Sequence, residues 1–206
     1  MMSSKEIFEE RRSINFFDTE KSLDDNLLKD IINLAALAPS AFNLQPWEIV
    51  AVKSKEAKEK LYRLSSNQPK VLEAPVTLII AGDKNGYDKS NPIWDIFLKN
   101  FNGDEEKLAN VQGYAYSLYG TSDERKIKFA ESNAALLAMS IMYAAKSFGV
   151  DSHPMSGIDF EGIKKEFELD DNKTVVMTIA LGYLDETKTL YPRAYRKNYE
   201  EIVKEV

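Results

Sequence analysis

The chain has 206 residues, long for one simple domain and short for two, so one elaborated domain, or one completed by oligomerisation, is expected. Its composition, 44% hydrophobic and 29% charged with ten Phe, ten Tyr and two Trp, is globular rather than disordered or fibrous. A formal net charge of −6, no cysteine and one histidine argue against general nucleic-acid binding and exclude disulfides, thiolate nucleophiles, Cys-ligated zinc and iron–sulfur clusters.

Along the chain, Ser3 with Glu6 and Ser22 with Asp25 read as capping boxes for helices near 4–11 and 23–37. The second carries Leu27, Leu28, Ile31, Ile32, Leu34, Ala35 and Ala38 and stops at Pro39. Residues 47–52 read as a strand. Ser54 opens a polar helix with Ala57, Leu61 and Leu64 inward, and residues 76–81 form a more deeply buried strand ending at Gly82. Residues 83–104 suggest a loop with a short helix, and 105–119 another helix. Thr121 and Glu124 suggest a cap for a long helix in which Ala130, Ala134, Leu137, Ile141, Ala144 and Phe148 recur at helical spacing up to Gly149. Its alanines would admit a close backbone, as in a central scaffold or a dimer helix. A short helix near 159–167, a third strand at 175–181 stopped by Gly182, and a Tyr- and Arg-rich tail at 183–206 without a core of its own complete the chain. Strands separated by helices imply a layered α/β or α+β domain. No apolar run approaches 18 residues and the charged start lacks a signal-peptide core, so a soluble cytoplasmic protein is expected, with no membrane span.

Four segments carry more polar groups than packing needs. Arg11, Arg12, Ser13 and Asn15 follow the first helix; they offer many donors and suit a polyanion, or simply complement the helix dipole. Pro39 to Trp47 holds Ser40, Asn43 and Gln45 in one turn between two prolines. Asn67 and Lys70 precede the second strand and can aim at one heterocycle edge, or lie on the surface. His153 to Gly157 reads as a turn with exposed backbone N–H groups, and Arg193, Arg196 and Lys197 form a small basic cluster. His153 alone would have to serve any metal site or Ser–His triad; it reads as structural before Pro154, and no metal is expected. Phe42, Phe101, Tyr114 and Tyr116 are candidates for a substrate face as well as for core.

Together these segments resemble the FMN-dependent nitroreductase family. Arg11, Ser13 and Asn15 stand at its Arg-x-Ser-x-(Arg/Lys) motif, and Pro39, Ser40, Asn43, Gln45, Pro46 and Trp47 match its Pro-Ser-x-x-Asn-x-Gln-Pro-Trp motif. Asn67 and Lys70 match Asn-x-x-Lys, Pro154 and Gly157 a Pro-x-x-Gly turn, and Arg193 and Arg196 a closing basic pair. The resemblance implies an α+β three-layer fold over residues 1–206 as a single domain. Its central mixed, mostly antiparallel sheet is flanked by helices, and a C-terminal extension (183–206) embraces a partner subunit. It implies a homodimer with shared FMN sites and ping-pong hydride transfer through flavin N5, from NADH or NADPH to a nitroaromatic, quinone or similar small-molecule acceptor. Arg11 or Arg12 with Arg193 and Arg196, either of which Lys197 could replace, would neutralise the phosphate, with Ser13 as a hydroxyl donor and Asn15 as a neutral contact; Asn67 and Lys70 would address the pyrimidine edge, and after Pro154 the backbone N–H groups of Met155, Ser156 and Gly157 would face N5. Pro39, Ser40, Ala41 and Asn43 would also bind the cofactor, with Ser40 and Asn43 coming from the partner. No side chain need act as nucleophile or base; Lys70 tunes the flavin. Asn15 departs from the family's cation, and Ser156 from a Glu that some members place there. Dehalogenation or enoate reduction on the same fold, and non-catalytic FMN storage, are the alternatives.

Overall fold

The structure is a computed structural model describing residues 3–206. Helix α1 (Ser4–Glu10) starts at the expected Ser3–Glu6 capping box. Helix α2 (Asp25–Ala35) is capped by Asp24, not Ser22: its carboxylate accepts from the N–H groups of both Asn26 and Leu27. A charged acceptor at the helix mouth satisfies two donors and complements the dipole, which a serine two residues earlier cannot do.

A 3₁₀ turn (Ala41–Asn43) leads into β1 (Trp47–Val52), α3 (Lys55–Leu64), a one-turn α4 (Lys70–Glu73) and β2 (Val76–Asp83). Helices α5 (Ile93–Asn100), α6 (Glu105–Tyr119) and α7 (Asp123–Ser147) follow. Ser122 rather than Thr121 caps α7, accepting from Arg125 N–H. Strand β3 (Asp151–Met155), α8 (Phe160–Glu166), β4 (Lys173–Gly182) and α9 (Tyr199–Ile202) close the chain.

The strands lie in the order β1-β2-β4-β3, each neighbouring pair antiparallel. A single parallel bridge, Ser13 to Ser152, brings the segment after α1 to the β3 edge and makes the pairing mixed. The turn expected at His153–Gly157 is therefore half strand. Pro154 is tolerated because β3 is an edge strand: its missing N–H removes no bond from the β4 ladder that the fold depends on.

Side-chain alternation along β2 divides the interior. Leu78 and Ile80 pack with Leu28, Ile31, Leu137 and Ile141 beneath α2 and α7, whereas Ile79 and Ala81 pack with Leu61, Val71 and Ile163 beneath α3, α4 and α8. The result is helix, sheet and helix in three layers. A smaller cluster of Leu44, Tyr87, Trp94, Ala115 and Phe129 lies under α5 and α6. The α7 stripe is buried from Ala130 to Ala144, but Phe148 follows the last helical residue and is exposed. The alanines admit the chain's own sheet: a Cβ on Gly82 would lie 2.5 Å from the Ala130 carbonyl oxygen.

The tail begins by pairing with the segment after α1, through Asp18 N–H to Tyr183 O at 2.9 Å and Asp185 N–H to Phe16 O at 3.2 Å. From Tyr191 onward every residue is exposed, among them Tyr195 and Ile202. No described helix is long and apolar enough to cross a membrane.

Candidate functional site: a cationic hollow beside the β3 edge

Helix α1 ends because Arg11 turns to extended backbone (φ −57°, ψ 128°), sending residues 11–15 along β3. The tail crosses them and is pinned by Arg12 and Arg193, while Arg196 bonds within the tail. Arg12 donates to the Tyr191 carbonyl, Arg193 Nη2 to the Glu10 carbonyl at 3.2 Å, and Arg196 Nη1 to Ala194 O at 3.2 Å and Tyr195 O at 3.0 Å. Between segment and tail lies a hollow of about 330 Å³ whose polar lining includes Arg11, Arg12, Ser13, Asn15, Arg193 and Arg196. Lys197 does not line it. Glu9 is the acidic residue at its rim, and its carboxylate lies 3.5 Å from Lys5 Nζ. Among the described residues none of the four guanidinium groups has a carboxylate within ion-pair distance. Four such charges gathered in an acidic protein make an anion-attracting surface.

A second group adjoins the first through Ile14. Its N–H donates to Ser152 O at 3.2 Å, and its carbonyl lies 2.6 Å from His153 Nδ1. Burial, and then the charge of Lys70, push the imidazole below its ordinary value. Lys70 is itself half-buried; burial lowers its ammonium, opposed by Glu73. Its Nζ lies 3.5 Å from Gln68 Oε1, while Gln68 Nε2 and Ser66 Oγ donate to Gly157 O at 3.2 and 3.1 Å. Lys70, Gln68, Ser66 and Gly157 thus form one polar network at the end of β3, and the charge of Lys70 reaches His153 beside it. Asn67 is exposed beside it with left-handed backbone (φ 54°). Met155 is buried in the core, so only its backbone is offered, whereas Ser156 and Gly157 are exposed.

The segment from Pro39 to Asn43 stands apart from both groups. Phe42, Asn43 and Gln45 all have positive φ, near 50°. The turn is held by Ser40 Oγ accepting from Gln45 N–H at 3.0 Å, and by Asn133 Oδ1 accepting from Ala41 N–H at 2.8 Å. Its apolar side chains, Ala41 and Phe42, pack on the cluster beneath α5 and α6, not on the core behind Lys70 and Ile14. Phe42 meets Tyr114 edge-on at 6.2 Å, but Tyr116 meets Tyr87 and Phe101 meets Phe97, also edge-on, so the four aromatics do not form one wall. Gln68 and Asn133 escaped the sequence reading. Gln68 was legible as an amide inside the Asn67–Lys70 tetrapeptide, and Asn133 as a polar residue within the buried stripe of α7.

Fold and site together define an α+β protein with an anion-attracting hollow at its sheet edge. The chain belongs to the Nitroreductase family, whose sequence profile matches residues 8–183. It is 35% identical over 195 residues to Bacillus subtilis MhqN, provisionally named an NAD(P)H nitroreductase, covering 94% of each chain. It is 33% identical over 176 residues to the CLA biosynthesis enone reductase of Lactiplantibacillus plantarum, covering 84% of this chain and 81% of that one. A solved Staphylococcus epidermidis structure, provisionally titled an NAD(P)H:FMN oxidoreductase, superposes with a TM-score of 0.89 at 27% identity, covering 100% of this chain and 97% of that one.

Proposed function

We propose that the protein is an FMN-dependent oxidoreductase that takes hydride from NADH or NADPH and passes it to nitroaromatics, quinones or similar electron-poor acceptors. The observation that carries the reading is the set of four guanidinium groups without carboxylate partners around one hollow, contiguous with the Lys70 network. A phosphate near −2 fits that cradle. Bound flavin supplies the hydride-carrying chemistry between nicotinamide and acceptor, one after the other.

The chain's own residues bind, orient and bias. Arg11, Arg12, Arg193 and Arg196, with Ser13 as a hydroxyl donor and Asn15 as a neutral contact, neutralise the phosphate. Asn67 and Lys70 address the pyrimidine edge, where a partly desolvated ammonium favours negative charge on the reduced ring. The backbone from Pro154 through Met155 and Ser156 to Gly157 lies against the redox-active centre. Residues 1–206 act as one domain. Pro39, Ser40, Ala41 and Asn43 complete the site of a second subunit in a homodimer, in which residues 183–206 pack on the partner. The separation of the Pro39–Asn43 turn from the cationic hollow within one chain, and the exposed aromatic tail, support that assembly.

Enone reduction is a second reading of the same site, favoured by the 33% identity to an enone reductase. Purified protein should be yellow, should bleach anaerobically on addition of NADH or NADPH, and should recover colour with a quinone, a nitroaromatic or an α,β-unsaturated ketone. Colourless protein that does not take up FMN refutes the proposal. Bound flavin that nicotinamide fails to reduce leaves only a flavin-storage role.

A further inference from the structure

Ile14 is 2% exposed, so both its backbone polar groups need protein partners. Its N–H is satisfied by Ser152 O, as the parallel bridge between Ser13 and Ser152 requires. Continued in the same register, a parallel ladder would have the N–H of residue 154 donate to the Ile14 carbonyl. Residue 154 is proline and has no N–H. The ring of the preceding residue stands in: His153 Nδ1 lies 2.6 Å from that carbonyl. A carbonyl only accepts, so Nδ1 carries the proton and Nε2 is the lone-pair nitrogen of the neutral ring.

We propose that His153 is a positioning residue for the phosphate cradle: its imidazole supplies the hydrogen bond that Pro154 cannot make, and so locks the Arg11–Asn15 segment onto the β3 edge at a fixed offset from Lys70 and the 155–157 turn. The inference deepens the FMN reading and rests on it. Phosphate and isoalloxazine sit at opposite ends of a ribityl chain, so the two half-sites must keep their spacing if one flavin is to satisfy both. Without the latch the arginines remain, but the segment carrying two of them has one anchor on β3 instead of two.

The test compares two flavins on apoprotein, by quenching of flavin fluorescence. His153→Leu should weaken FMN by about tenfold, the scale of one buried carbonyl left unpaired, and leave riboflavin, which has no phosphate, unchanged. His153→Asn places an amide N–H near the former Nδ1 and should restore FMN affinity. Equal FMN affinity in wild type and His153→Leu, or equal losses for both flavins without rescue by Asn, overturns the proposal. Because His153 is the sole histidine, a ¹⁵N spectrum of the wild-type imidazole at pH 8 tests the latch even if the leucine variant does not fold. A proton on Nδ1 is expected; a proton on Nε2 refutes it. Wild-type protein that binds no FMN would sink the flavin reading while the ¹⁵N tautomer still reports on the latch.

Discussion

The turn at residues 40–45 is the most strained backbone in the site, and Asn133 is the side chain that holds it from below. Phe42, Asn43 and Gln45 sit at φ 52°, 53° and 50°. A bulky residue there costs about 1–3 kcal/mol and persists only where the surroundings enforce it, with Asn the most tolerant of the three. The Asn133 side chain is 5% exposed and spans two elements, accepting from Ala41 N–H at 2.8 Å and donating to Phe129 O at 2.6 Å. Replacing it by leucine keeps the volume and strands the Ala41 N–H. The expected loss is about 1–3 kcal/mol for a buried donor left unpaired. For a chain of this length each kcal/mol moves the thermal midpoint by roughly 2–4 °C, so a fall of about 2–12 °C is expected at fixed protein concentration. Asn133→Asp separates latch from bulk: it keeps the acceptor for Ala41 but turns a carboxylate toward the Phe129 carbonyl, and should also destabilise at neutral pH. Calorimetric scans decide the matter. If both variants melt with the wild type, the amide does not hold the turn and the strain is borne elsewhere.

Other outcomes follow from neighbouring geometry. Gly82→Ala would put a Cβ 2.5 Å from Ala130 O and 2.7 Å from its carbonyl carbon, both backbone, so α7 must lift from β2; a loss of about 1–3 kcal/mol or more is expected in urea unfolding. Arg11 is the one cradle guanidinium with no hydrogen bond to the described chain, so Arg11→Ala should weaken FMN about tenfold and flatten its salt dependence, with riboflavin binding unmoved in the same titrations. His153 titrates below the ordinary imidazole value of 6.5 because burial and then Lys70 oppose its charging. The unfolded chain therefore takes the proton first: this contribution to stability is complete above pH 6.5 and is lost as pH falls through 6.5 toward the lower folded-state value. Urea midpoints should drop less between pH 8 and pH 5.5 in His153→Asn than in wild type; an identical drop in both would remove His153 as the cause.

What could be read in advance divides along a physical line. Helices α2 and α7 and strands β2 and β4 declare themselves because apolar spacing reports burial directly, and burial is what stabilises them. Caps slipped by one or two residues because Ser22 and Asp24, or Thr121 and Ser122, have nearly equal local claims, and only the folded backbone chooses. Strand β3 was hidden by Pro154, since a proline in a short polar run looks like a turn unless the sheet edge beside it is known. Of the candidate site, Arg11, Arg12, Ser13, Asn15, Arg193 and Arg196 were legible as residue types, and the structure brings them to one hollow although about 180 positions separate the two groups along the chain. The left-handed backbone at Phe42 and the imidazole bond to Ile14 were not legible, because each replaces a local preference by a tertiary contact. The two cases share a logic. Where the backbone lacks its usual partner, a side chain 92 residues away along the chain in one case, or the neighbour of a proline in the other, supplies it, and both substitutions fall beside the residues proposed to hold the flavin.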